Sequence, residues 1–194
     1  MRLPGTAQTS RPWRIHQLIW DFRLEDVWAL PAPGDAKDFP RLVHLIASSD
    51  PSRGASEAVR TLWAIRLKVG ELLGWDSANA GSGTPTLRDR LPVDLRCRPS
   101  GPDFAALPFT SLYQLDDEWA AEIANRTMHG VMHVGWVEDR MGGYKGQLAV
   151  YVRPNGPLGT SYMAAIRPFR RLIVYPQMLR RIGRVWGRAL DDRM

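Results

Sequence analysis

The sequence predicts an α+β domain in which an antiparallel meander packs against one long C-terminal helix, and two patterns carry that prediction. Between Glu118 and Val152 apolar and polar residues alternate in three successive runs joined by short turns, which is the period of half-buried strands. From Leu158 to Leu190 the apolar positions fall three and four apart, the period of an amphipathic helix. A third observation bounds the unit. With 194 residues, 44% hydrophobic and 24% charged, the chain has the balance of an ordinary globular protein, so residues 1–194 read as a single domain.

Taken in order, residues 1–12 carry Pro4, Gly5 and Pro12 with few apolar side chains and read as a loose arm. Trp13 to Phe22, with its β-branched and aromatic residues, is predicted as a first strand. Arg23 to Leu30 reads as a short helix stopped by Pro31 and Pro33, which cannot donate the next helical hydrogen bond. Asp38 is placed to cap a helix over Pro40 to Ala47, where Leu42, Leu45 and Ile46 share a face. After a polar turn at Ser48 to Ala55, the spacing of Val59, Leu62, Trp63, Val69 and Leu73 predicts a long helix ending at Gly74. Asp76 to Pro108 shows no sustained period and reads as a long irregular excursion of the kind that often covers a binding site. Its glycine-rich stretch Gly81 to Thr86 lacks the lysine of a phosphate loop.

The strands follow. In Glu118 to Asn125, Trp119, Ala121, Ile123 and Asn125 are assigned to the core, and Glu118, Ala120, Glu122 and Ala124 to water. Met128 to Val137 places Met128, Met132, Val134 and Trp136 on one face and His129, Val131 and His133 on the other. Tyr144 to Val152 sets Gly146, Leu148 and Val150 against Gln147, Ala149 and Tyr151. The terminal helix, bounded at 157–190, contains Pro168 and Pro176, at which kinks are predicted.

Charge is unevenly spread. The formal net charge is +6, and residues 167–194 account for all of it, with eight arginines against Asp191 and Asp192. The rest of the chain is neutral. This weighs against a general nucleic-acid surface and leaves one arginine-bearing helix, with Arg167, Arg170, Arg171, Arg180, Arg181, Arg184 and Arg188, as a possible contact for an anionic membrane or an acidic partner. Cys97 is the single cysteine, so intramolecular disulfides and cysteine-built metal centres are excluded. No transmembrane run is present, and Met1 to Ser10 lacks the apolar core of a secretory signal; a cytoplasmic location is therefore expected.

A strand, helical segments, an antiparallel meander and a long last helix is the element order of the helix-grip fold, in which a curved sheet grips that helix around a cavity. The segments DDEWAAEIANRTMHGVMHVGW and PNGPLGTSYMAAIRPFRRLIV resemble a bacterial domain-of-unknown-function family, DUF2867, of the START-like, SRPBCC superfamily. The turn PNGPLG, leading into a helix with Tyr162, Pro168 and Phe169, is the most specific part of the likeness. The resemblance implies a cavity for an apolar ligand, and it implies no catalytic residue.

Candidate ligand contacts are Trp119, Ile123, Asn125, Met132, Trp136, Tyr151, Tyr162 and Phe169, apolar walls with a few polar fixtures. Asn125 has a second reading as the residue that closes the turn at Arg126 and Thr127. His129 and His133, four apart on a strand, lie about 13 Å from each other, too far to share a metal. They read either as sheet-surface histidines or, with the faces reversed, as proton carriers inside the cavity. Glu118 and Glu122 read as solvated carboxylates. No metal and no cofactor is expected. The leading expectation is a protein that binds a small apolar or aromatic molecule; a cyclase- or dehydratase-like enzyme of the same fold is the alternative, and an arginine-helix module on an anionic surface is the third.

Overall fold

A computed structural model describes residues 1–50, 86–125, 127–139 and 142–191. The helix predicted over Ser56 to Leu73 and the glycine-rich stretch before Thr86 lie outside the described residues. The strands are β1 (Arg2–Leu3), β2 (Arg23–Gly34), β3 (Thr110–Gln114), β4 (Glu118–Ala124), β5 (Met128–Glu138) and β6 (Tyr144–Pro154). All pairings are antiparallel, in the order β1-β2-β6-β5-β4-β3. The meander thus runs β3 to β6, and the first long strand closes against the last. The helices are α1 (Thr6–Thr9), α2 (Phe39–Ala47), α3 (Val93–Arg96), α4 (Gly156–Phe169) and α5 (Tyr175–Asp191), with a π-helical turn over Arg170–Val174 joining the last two. This is the α+β helix-grip architecture the sequence predicts. Among the described residues no helix is long and apolar enough to cross a membrane.

Several local expectations are corrected. Arg23 to Leu30 is strand, and β2 runs on through Pro31 and Pro33. Its alternation is clear from Asp26 onward: Asp26, Trp28, Leu30 and Ala32 turn to the helix side, and Pro31 and Pro33 are exposed. The prolines are tolerated because β1 pairs only with Val27 and Trp28, so beyond them this flank of β2 is an edge where no ladder donor is required. Trp13 to Phe22 is not a strand; it contains a 3₁₀ turn at Arg14–Gln17. Ile15, Leu18 and Ile19, at helical rather than alternating spacing, are buried. The arm 1–12 is partly ordered, since Arg2 and Leu3 join the sheet and Gln8 is fully buried. Asp38, read as the cap of α2, accepts from the Asp35 backbone N–H at 3.0 Å and so closes the turn before it.

The largest correction concerns the faces of the sheet. One face packs on α5 and α2, with Trp28, Leu30, Val134, Trp136, Leu148, Ile182 and Trp186 in one cluster. The other face, assigned to water, carries a second core in which Trp13, Ile15, Leu18 and Ile19 and the excursion residues Leu87, Leu91 and Leu95 cover Ala120, Val131, Ala149 and Tyr151. Gly135 permits this cover, because a Cβ there would sit 2.7 Å from the Trp13 ring. In the terminal helix the distortion falls between the two prolines. Pro176 has no N–H and crowds the preceding turn; one residue before it, the Tyr175 N–H donates to the Arg170 carbonyl five residues back.

Candidate functional site

Two regions hold most of the polar groups that this fold buries. The first lies between the sheet and the helix at the π turn. A register shift between Leu24 and Asp26 marks a bulge at Glu25, and both acids meet the helix. Arg171 Nε donates to Asp26 Oδ1 at 2.8 Å, and Arg170 Nη2 lies 3.3 Å from Glu25 Oε2 and 3.6 Å from Asp26 Oδ2. Arg167 reaches Glu25 at 3.3 Å and Arg2 reaches Asp26 at 3.5 Å. Three of the seven arginines assigned to an anionic surface are therefore engaged inside the molecule. Arg181 donates to the Asp50 carbonyl, and Arg180, Arg184 and Arg188 stay exposed.

Within this cluster Asp26 Oδ2, Trp28 Nε1 and Arg170 Nε are buried without a hydrogen-bond partner. Trp136 and Trp186 differ, their indole N–H groups donating to the Asp35 and Pro33 carbonyls at 3.0 and 2.7 Å. Tyr175 stacks obliquely on Trp28 at 5.0 Å, and burial pushes its hydroxyl up to about 12, reinforced by Asp26 and Glu25 against the pull of Arg170. Across the sheet in the same row as Asp26 stand Val150, Met132 and Ala121. Met132 and Val150 are only partly buried. One row along, Trp119, Val134, Leu148 and Trp28 are buried, and the rings of Trp136 and Trp186 meet at 6.3 Å. The α5 end of the interface is thus filled by side chains, and the partly exposed row lies by the π turn.

The second region is the layer on the opposite face. Glu118, 2% exposed, accepts from the Arg14 backbone N–H at 2.8 Å, from the Tyr113 hydroxyl at 3.2 Å and from His133 Nε2 at 2.9 Å. Gln8 donates to His133 Nδ1 at 3.1 Å and accepts from Gln147 at 2.7 Å, so both nitrogens of His133 are engaged. Burial pushes the Tyr113 hydroxyl far up, with Glu118 adding to it. His16, whose Nε2 lies 3.3 Å from the Tyr151 hydroxyl, is lowered by burial and then by His133, against the opposing pull of Glu118. Glu122, 6% exposed, accepts from the Leu87 N–H at 2.9 Å, from Thr86 and from His129 Nε2 at 2.7 Å. Burial pushes its carboxyl up, but the three donors outweigh it and hold the group below the ordinary range. His129 Nδ1 is buried without a partner, beside the Phe22 ring at 5.0 Å.

The sequence-predicted residues divide accordingly. Trp119, Ile123, Met132 and Trp136 share the helix side of the sheet; Trp119 and Trp136 are fully packed, and Phe104 stacks on Trp119 at 5.3 Å. Tyr162 and Phe169 are half-buried on α4. Tyr151 faces the other way, with His16 and the second core. Asn125 closes the β4–β5 turn, its Oδ1 accepting from Thr127 N, Thr127 Oγ1 and Met128 N at 2.8 to 3.0 Å. His129 and His133 lie away from the helix, yet they are buried rather than on the surface, and Glu118 and Glu122 are their partners rather than solvated carboxylates. The face parity is legible in sequence, whereas the lid over it is not. Missed altogether were Glu25, Asp26 and Trp28, hidden in a segment read as helix, and Gln8 in a segment read as loose. No group of three His, Cys, Asp or Glu side chains gathers into a metal site among the described residues.

Comparison with known proteins adds the family and nothing finer. No curated protein matches the chain, and no solved structure does. The profile of the family described as "Protein of unknown function (DUF2867)" matches residues 18–177, which takes in β2 to β6, the π turn and the start of α5. The chain, with its gripped helix and its two buried polar layers, belongs to the DUF2867 family.

Proposed function

We propose that the chain binds a small, largely apolar molecule bearing one polar group, held between the sheet and the C-terminal helix beside the π turn. The observation that carries this reading is the set of buried polar atoms that make no hydrogen bond, Trp28 Nε1, Arg170 Nε and Asp26 Oδ2, the last within ion-pair reach of Arg170, next to the partly buried Met132 and Val150. An orphaned buried polar group costs about 1–3 kcal/mol, and a hydrogen-bonding ligand head group recovers that cost. Kinship with the START-like, SRPBCC proteins of bacteria, whose cavity lies between sheet and last helix, belongs to the same reading, as does a reducing, cytoplasmic setting for the single exposed Cys97. Ile123, Tyr162 and Phe169 are proposed as further wall residues, and the fully packed Trp119 and Trp136 as the floor. Binding is favoured over turnover because His133 has both nitrogens occupied and both histidines face away from the helix side of the sheet.

Native mass spectrometry of protein purified from its own host, with extraction and identification of the adduct, tests this. A stoichiometric apolar adduct that is lost in Val150→Trp, with the circular dichroism spectrum retained, is the expected result. A bare mass together with no saturable uptake of anilinonaphthalene sulfonate overturns it.

A further inference from the structure

On the opposite side of the sheet, the excursion and β3 line an open pocket of about 480 Å³. Its floor is apolar, made by Leu91, Leu95 and Leu112, each at least 94% buried. Its rim carries three guanidiniums, Arg88, Arg96 and Arg98. We infer that this cavity is a site for a small organic oxyanion, with a phosphate or carboxylate head on the arginines and an apolar body on the leucines.

Among the described residues the charge on the rim is uncompensated. Arg88 Nη2 donates to the Ser111 carbonyl at 2.9 Å, and Arg96 donates to the Leu91 and Asp89 carbonyls at 2.7 and 2.9 Å. These bonds to neutral oxygens orient two guanidiniums without neutralising them, and arginine stays protonated at any physiological pH. Asp89 also lines the cavity and opposes an anion, yet it forms no ion pair with the rim arginines. The neighbouring pairs are self-contained: Asp94 holds Arg14 at 2.8 Å, and Asp21 holds Arg90 and Arg153 at 2.5 and 2.6 Å. Among the described residues, three cations against one acid leave a net positive rim over a leucine floor, in a volume suited to a small ligand. The pocket's place is set by Glu122, which fastens Thr86 and Leu87 to β4 and so anchors the start of the described part of the excursion. This site is independent of the one proposed beside the π turn.

Isothermal titration at low salt with phenyl phosphate, with sodium benzoate and with neutral benzyl alcohol tests the inference. The expected result is saturable one-to-one binding of at least one of the two anions with a Kd below about 1 mM, weakening as salt rises, and none of benzyl alcohol. Whichever anion binds tighter names the head group. Arg98→Gln removes no side-chain hydrogen bond among the described residues and is the deciding variant, expected to weaken binding roughly tenfold with an unchanged melting temperature. No saturation by either anion, equal affinity in Arg98→Gln, or equal binding of benzyl alcohol overturns the inference.

Discussion

Glu122 shows how a strand residue that alternation assigns to water becomes part of the core. It spends its two oxygens on three donors drawn from two elements, His129 on β5 and Thr86 and Leu87 at the start of the described excursion. Its carboxyl is held below the ordinary value of 4.5, so the folded state prefers the charged form. The resulting stability is present above the unfolded value and is lost as pH falls through the lowered folded one. Glu122→Gln is expected to cost about 1–3 kcal/mol at neutral pH. Urea denaturation of both proteins at pH 7 and pH 3 checks this. The gap between them should narrow at pH 3, and a gap that does not narrow assigns the loss to packing alone. Glu118 sits in the same kind of nest, with Arg14, Tyr113 and His133 as donors. Neither glutamate has any other local feature in the sequence to mark it as buried.

Among the elements, α4 shows how close a helix must come to the sheet rim to be placed. Gly159 lies against the Thr127 carbonyl, where a Cβ would collide with backbone that has no rotamer to escape into. Alanine is the better helix former by about 1 kcal/mol, so an isolated helix would gain from Gly159→Ala. Here the substitution is expected to destabilise the fold by about 1–3 kcal/mol through overpacking. Gly187, where a Cβ meets nothing within 4 Å, is the internal control. Gly187→Ala should be neutral or slightly stabilising, and thermal melts of the two variants decide between propensity and contact. Equal melting temperatures would remove Gly159 as the docking point of α4. The π turn belongs to the same scale: it carries Arg170 and Arg171 to the acids on β2.

For the molecule as a whole, the sheet is a shared wall between two cores rather than a single-faced platform. The segment before β2 contributes Ile15, Leu18 and Ile19, each no more than 3% exposed. At about 1.5–3 kcal/mol for each buried aliphatic side chain, the three together approach the roughly 5–15 kcal/mol by which a domain is stable at all. Removing residues 1–19 is therefore expected to abolish cooperative urea unfolding and to expose the layer of Glu118, His133 and Gln147. A truncated chain with a full-length melting curve would show that the segment merely decorates the sheet.

Periodicity alone determined three of the four meander strands, β4 to β6, with their turns, α2 and the terminal helix, because each keeps one apolar face over several residues and period is a property of the chain itself; the short β3 was not read. The parity of His129, His133, Glu118 and Glu122 was equally readable. What lay against each face was decided only by the tertiary structure. Burying both faces of the sheet removed the contrast that separates strand from helix in β2, where Leu24, Val27 and Trp28 mimic helical spacing. It also turned a polar face into an internal one whose partners come from more than 100 residues away, as Gln8 does for His133, 125 positions along the chain. A hydrogen bond between distant segments leaves no period in the sequence, and so the buried polar layers, the anchoring of Arg170 and Arg171, and the arginine-rimmed cavity became visible only when the chain had closed on itself.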